Sequence, residues 1–340
     1  VEVFEVGLLE VMRSYSVKVN EFIFKLLSDD FKLKELYDAS RHLIKAGGKR
    51  VRPFLVIQSC RAVGGDEESV LPAAVAVELI HNFTLIHDDI MDQDDLRRGA
   101  PTVHVLWGLP TAILAGDLLF SKAFEALFTC SSHPNISFER LVEAGRRLAS
   151  AVSTIAEGQA LDMSLSGKLK EVLVGEDDYF EMIYKKTAAL FKVSCEVGGI
   201  LGGADSNELN ALSKYGEHIG IAFQMKDDIL GIMGDEKVLG KPIGSDLREG
   251  KCTLILIHAL KNASDRQRKT IMDVYGKENI SRDEINLVID VLRDLGSIEY
   301  VESIAREQVS LAKKSLEILG SSEAKSLLLD LADFIVARRY

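Results

Sequence analysis

Apolar positions recur three and four residues apart along most of the chain, as in VNEFIFKLLSD, ELYDASRHLIKAG, LPAAVAVELIHNFTLIHDDI, PTAILAGDLLFSKAFEALF, RLVEAGRRLASAVSTIAEGQALD and YFEMIYKKTAALFKVSCEVGGI. That period predicts amphipathic helices. Strictly alternating, strand-like runs are scarce. Clusters rich in Gly, Pro and Asn separate the helical stretches: GGKRVRP, VGGDEES, RRGAPT, SSHPNIS, GGADSNE and LGKPIGSDLREGK. The expected architecture is all-α, a single bundle of many helices with short connections. Nothing marks a linker, so residues 1–340 are expected to form one domain.

Composition agrees, with 47% apolar residues, 27% charged residues and only six prolines. A net charge of −11 argues against a generic nucleic-acid binder, whose affinity for phosphates needs an exposed basic face. Any anionic ligand must therefore meet a local basic patch. The four cysteines, Cys60, Cys130, Cys195 and Cys252, form no CxxC. They suggest neither a zinc site nor a disulfide framework, and a reducing cytoplasm fits them. No apolar run approaches the roughly 18–20 residues of a membrane span, so no span is expected. VEVFEVGLLEVMRS lacks the basic start and apolar centre of a signal peptide.

The stretch LIHDDIMDQDDLRRG puts five carboxylates into eight residues, Asp88 to Asp95, and follows them with two arginines. On a continuing helix His81, Thr84, Asp88, Asp92 and Asp95 would share one face. Aligned carboxylates repel unless a cation lies between them. Oxygen-only ligands suit Mg²⁺, which takes one or two carboxylates together with substrate phosphates. A solvated acidic helix end is the bland alternative. A second cluster, FQMKDDILG, weakens it: Gln224, Asp227 and Gly231 share a face beside Asp228, and Lys241 and Lys251 follow in a glycine-rich loop that can close over an anion. The two clusters would face each other across a cavity. In KAGGKRVRP, Lys49, Arg50 and Arg52 follow two glycines and can wrap a diphosphate, together with Arg97 and Arg98. An exposed basic turn is the plain alternative.

Taken together and in chain order, KAGGKRVRP, LIHDDIMDQDDLRRGAPTVH, GQALD, KKTA and FQMKDDILG…GKPIGSDLREGK resemble the trans-isoprenyl diphosphate synthases, also called polyprenyl synthetases. The resemblance runs from about Gly47 to Lys251. It implies a helical fold around a central cavity, usually a homodimer, that joins isopentenyl diphosphate to an allylic diphosphate with Mg²⁺, three ions when substrate is bound. Asp88 and Asp92 then look like metal ligands, with Asp227 on the opposite wall. Arg97, Lys186 and Lys251 resemble the basic partners of the allylic diphosphate, and Lys241 the loop lysine that closes over it. Thr187 and Gln224 match positions that turn oxygen dipoles towards an allylic cation. Lys49, Arg52, His81 and Arg98 match the isopentenyl diphosphate site. Gln159 and Asp162 match a further motif near the allylic site, although lone polar residues on a helix have a bland reading too.

One departure concerns the second acidic motif, in which many relatives carry a third Asp where this chain has Gly231. Weaker metal organisation without inactivity is expected. Asp227, Gly231 and Asp235 also have the spacing of a terpene-cyclase metal triad, but a basic site for a second diphosphate argues against a cyclase. A non-catalytic synthase subunit is the other alternative, opposed by the retained acids. Phe83 lies five residues before Asp88, about 7.5 Å along a helix, and with Thr84 and Ile80 forms a candidate floor for the growing chain. An aromatic there resembles archaeal-type geranylgeranyl diphosphate synthases and implies a C20 product, with C15 as the alternative. The terminal ARRY offers Arg338 or Arg339 to the isopentenyl diphosphate site, or leaves both solvated.

Overall fold

Helix α4 (Glu67–Met91) shows how the periodic pattern becomes structure. Asp66 caps its start, accepting from the Ser69 amide at 3.0 Å, and Glu67 and Glu68 complement the positive end of the helix dipole. Its middle is buried on nearly every side, including Val70, Ala73, Val77, Leu79 and Ile80, because it packs on both α3 (Val51–Ala62) and α5 (Val103–Phe128). In this computed structural model residues 2–28, 32–170, 174–233, 244–277 and 279–338 are described, residues 2–6 by backbone alone.

The architecture is all-α. The other helices are α1 (Glu2–Leu26), α2 (Lys34–Lys45), α6 (Phe138–Leu165), α7 (Glu176–Ile183), α8 (Ala189–Gly202), α9 (Ser206–Met233), α10 (Ser245–Glu249), α11 (Leu254–Asn262), α12 (Asp265–Met272), α13 (Arg282–Asp294), α14 (Ser297–Ser315) and α15 (Glu323–Ala337). Among the described residues the strands are β1 (Leu96–Arg97) and β2 (Ala100–Pro101), paired antiparallel. Arg98 and Gly99 connect them, both with positive φ (54° and 74°), the left-handed geometry that matches hairpin twist.

The chain divides into two compact units. The first comprises residues 1–153, 190–217 and 312–334, with its core around α3, α4 and α5. The second comprises residues 154–189, 218–311 and 335–340. Tyr179, Ile183, Met225, Ile229, Leu256, Tyr275, Val288 and Val301 fill its core. There α11 packs on α7 and α13.

Two expectations change. The carboxylate stripe breaks at Asp92, where α4 ends, because Gln93 turns left-handed (φ 58°); Asp95 therefore leaves the face carrying Asp88. The chain also contains two segments long and apolar enough to cross a membrane by length and composition, Glu67–Met91 and Val103–Ser132. Searching for uninterrupted apolar runs missed them because isolated polar residues break the runs without lowering the average much. Burial of 72% of the first segment's most apolar window accounts for it as a core helix, whereas only 28% of the second's is buried.

Candidate active site

In the first unit the helix end explains how so many carboxylates coexist. Asp88 is on the last turn of α4 and Asp92 is its C-cap, so both lie where the helix dipole is already negative. Asp89 is buried, and burial raises its pKa to about 6 against the opposing pull of Arg97. The hairpin returns Arg97 into the cluster, where its guanidinium bonds Asp89 and reaches Asp88 and Asp94 at 3.5 and 3.4 Å. Part of the repulsion that pointed to a metal is thus offset by Arg97. Asp89 Oδ2 has no hydrogen-bond partner and is buried.

Among the described residues no three His, Cys, Asp or Glu groups converge as a closed metal site. Carboxylate oxygens without nitrogen or sulfur donors, short of a full set, fit Mg²⁺ that takes its remaining ligands from water and diphosphate.

The basic groups of this unit separate into two kinds. Arg52 places Nη1 3.2 Å from His81 Nε2 and its guanidinium over the Phe191 ring at 4.6 Å. Nε2 must accept this bond, so His81 is neutral. Burial and then the charge of Arg52, with Arg98, Arg97 and Arg50 beyond it, hold its pKa well below 6.5. Lys49 Nζ lies 5.3 Å from the centre of the Phe334 ring. Arg98 bonds the carbonyls of Leu43 and Gly47, joining the hairpin to the KAGGKRVRP loop. Arg50, expected among the diphosphate ligands, turns inward instead and pairs with Glu78 at 2.9 Å, with both side chains almost fully buried.

Phe83 meets His87 edge-on (5.0 Å) and Phe120 of α5 at a tilt (5.3 Å), and Phe120 meets Phe124 (5.4 Å). Ile80 is buried, and Thr84 donates to the His81 carbonyl at 2.8 Å. Phe120 and Phe124 escaped the sequence reading, although their four-residue spacing in FSKAFEALF was visible.

The second unit carries the other candidates. After α7 the backbone widens into one π-helical turn, Tyr184–Ala188, a distortion frequent at functional sites. It displays Lys186 and Thr187. Lys186 Nζ pairs with Asp162 Oδ2 at 2.5 Å; Gln159, one turn earlier, is buried with no hydrogen-bond partner for its Nε2. Thr187 donates to Gln224 Oε1 (2.7 Å), and Gln224 Nε2 donates to Asp228 Oδ1 (2.8 Å). Tyr179, also unanticipated, donates to Asp228 Oδ2 at 2.6 Å. Burial first, then the charge of Asp246, raises the Asp228 pKa to about 7.

Asp227 is 42% exposed along its side chain and meets Arg338 Nη2 at 2.6 Å; Arg338 also bonds the Phe223 carbonyl and lies 3.8 Å from the Phe223 ring centre. Arg338 is thus buried rather than solvated. At Gly231 a Cβ would fall 2.6 Å from Asp246 Oδ2, so a carboxylate from α10 occupies the space of the missing side chain. Asp246 was legible only as part of GSDLREGK. Lys251 pairs with Glu249 at 2.8 Å. Lys241, Asp235 and Arg339 lie outside the described residues.

The frame is all-helical, and within each unit acidic and basic side chains lie against one another. The polyprenyl synthetase family model matches residues 33–292. Geranylgeranyl diphosphate synthase of Methanosarcina mazei is 46% identical over 90% of this chain and 91% of its own length. A crystal structure of geranylgeranyl pyrophosphate synthetase from Pyrococcus horikoshii aligns with a TM-score of 0.90 and 44% identity, covering 98% of this chain and 99% of that one. A polyprenyl synthase from Caulobacter crescentus, complexed with calcium and isoprenyl diphosphate, aligns with a TM-score of 0.87 at 33% identity, covering 98% and 97%. The chain belongs to the polyprenyl synthetase family. It is a trans-prenyltransferase.

Proposed function

We propose that this enzyme condenses isopentenyl diphosphate with allylic diphosphates up to farnesyl diphosphate and releases geranylgeranyl diphosphate (C20). Residues 1–340 act as one catalytic domain. The observation that carries the reading lies within the first unit: a carboxylate pair at a helix C-terminus, Asp88 and Asp92, accompanied by a separate set of two cations, Lys49 and Arg52, with the neutral His81 beside Arg52. One diphosphate bound through metal and a second bound directly are what a condensation needs. A cyclase needs only the first.

Asp88, Asp92 and Asp227 would hold Mg²⁺, three ions with substrate present. When bound, the ions neutralise charge developing on the departing diphosphate. Arg97, Lys186 and Lys251 add fixed positive charge for the allylic diphosphate, and Lys241 closes over it. Breaking the carbon–oxygen bond leaves an allylic cation, towards which Thr187 and Gln224 turn oxygen dipoles. Thr187 donates its hydroxyl hydrogen bond to Gln224 Oε1, so the hydroxyl oxygen keeps its lone pairs for that role. Lys49, Arg52, His81 and Arg98 seat isopentenyl diphosphate so that its double bond attacks the cation. The proton then lost passes to the released diphosphate, and the chain grows towards Phe83, with Ile80 and Thr84 beside it.

A second copy of this chain is the occupant we assign to the exposed apolar face of α5, where Val105, Leu106, Leu109, Ile113 and Leu114 are each 43–55% exposed. A dimer mass by light scattering supports the homodimer, and a monomer mass opposes it. Four buried free thiols fit a cytoplasmic setting. The direct test of the chemistry is Asp88→Ala: turnover should vanish while helical circular dichroism persists, and near-normal activity would remove Asp88 from the metal site.

A further inference from the structure

We propose that Arg50 is a positioning residue whose buried pairing with Glu78 clamps the loop presenting Lys49 and Arg52 to isopentenyl diphosphate. The inference rests on the diphosphate reading of that loop.

Three cations fall within four residues, yet one of them faces inward. The Arg50 side chain is 1% exposed and Glu78 2%. The guanidinium gathers four partners from separate parts of the unit: Asn20 Oδ1 of α1 (2.9 Å), the Ile44 carbonyl in the last turns of α2 (2.8 Å), the Gly47 carbonyl of the loop (3.0 Å) and Glu78 Oε1 of α4 (2.9 Å). Asn82 Nδ2 donates to the same Glu78 oxygen at 2.9 Å and fixes it from one turn further on. Arg98 meets the Gly47 carbonyl from the other side. A Cβ on Gly48 would fall 2.8 Å from Arg50 Nη1, so the clamp itself requires a glycine there.

This arrangement has a backbone cost. Arg50 sits at φ 50° at the start of α3, a left-handed conformation that persists in a non-glycine residue only when its surroundings over-determine it. Compared with an apolar filling of the same volume, a buried ion pair adds little net stability, so its use here is to fix one arrangement. What it fixes is specific. Glu78 lies three residues before His81 on α4, and His81 meets Arg52. Through Arg50 the loop is thus tied to the helix that carries its own binding partner. Turning one cation inward against a carboxylate leaves its neighbours, Lys49 and Arg52, to present charge to a ligand.

The test uses Arg50→Lys and Glu78→Gln in the full chain, with Arg52→Gln in parallel. Steady-state kinetics with isopentenyl and farnesyl diphosphates should show KM for isopentenyl diphosphate raised about tenfold or more. KM for the allylic substrate should stay within about twofold by the same argument. Glu78→Gln is isosteric and adds net positive charge near the site. If Arg50 served only as part of the positive field, this change would tighten isopentenyl diphosphate binding, and an unchanged or lowered KM would overturn the clamp. Parallel rises in both KM values with a lowered melting temperature would reduce the pair to a structural role and overturn it as well. An Arg52→Gln variant with unaltered KM would instead defeat the diphosphate reading of the loop, and the clamp with it.

Discussion

Gly158→Ala is the smallest change expected to disable the second unit's candidate site. On α6, a Cβ at Gly158 would lie 2.5 Å from the Lys185 carbonyl carbon and 2.6 Å from Lys186 Cα, both in the backbone of the π-helical turn. Carbon atoms in ordinary contact stay about 3.5–4.0 Å apart. Helix and turn must therefore separate by about 1 Å to restore that spacing. The 2.5 Å Lys186–Asp162 pair and the 2.7 Å Thr187–Gln224 hydrogen bond would have to stretch with them. Forcing a methyl into a packed contact costs about 1–3 kcal/mol. A displacement of about 1 Å in groups that orient a reacting substrate costs about a hundredfold in rate. Urea denaturation reads the first quantity and kcat the second. A variant with the wild-type urea midpoint and wild-type kcat would refute the idea that this close approach positions Lys186 and Thr187.

Three further outcomes are expected. Phe83→Ala should lengthen the product by at least one five-carbon unit, and adding Phe120→Ala, which removes the next ring, should lengthen it further; an unchanged distribution by mass spectrometry would take Phe83 out of the floor. Gly231→Asp restores the family's third carboxylate in sequence but sets it against Asp246, so Mg²⁺-dependent thermal stabilisation should weaken and stability should fall by about 1–2 kcal/mol from like-charge repulsion. Stronger stabilisation by Mg²⁺ would show that the space at Gly231 is not taken. His81 is held neutral when folded, whereas the unfolded chain takes up its proton near pH 6.5. Its contribution is therefore fully present above that pH and lost as pH falls below it; from pH 7 to 5 the wild-type melting temperature should drop more steeply than that of His81→Asn, and parallel curves would contradict a buried neutral imidazole.

The helices were legible in the sequence because their apolar period is local, and the acidic, basic and KKTA segments because each is contiguous. What failed to show depended on distant partners. Arg50 looks like its neighbours Lys49 and Arg52 until Glu78, 28 residues away, draws it inward. Asp95 appeared aligned with Asp88 because nothing in DQDD announced the left-handed turn at Gln93. That the space beside Gly231 is taken could not be read from the sequence, because Asp246 reaches it only through the fold. Likewise the destination of Arg338 on Asp227 spans 111 positions and has no local signature. The apolarity of α5 was misjudged for a different reason, since a scan for unbroken runs does not register a helix whose apolar residues are interrupted but frequent.

The most direct measurement incubates the purified full chain with Mg²⁺, isopentenyl diphosphate and, separately, dimethylallyl, geranyl and farnesyl diphosphates, and determines product chain lengths by mass spectrometry. Extension of each starter, ending at C20 and abolished by chelation of the metal, is the expected result. Termination at C15 or passage beyond C20 would contradict the floor at Phe83, and no extension of any starter by folded protein would contradict the condensation itself.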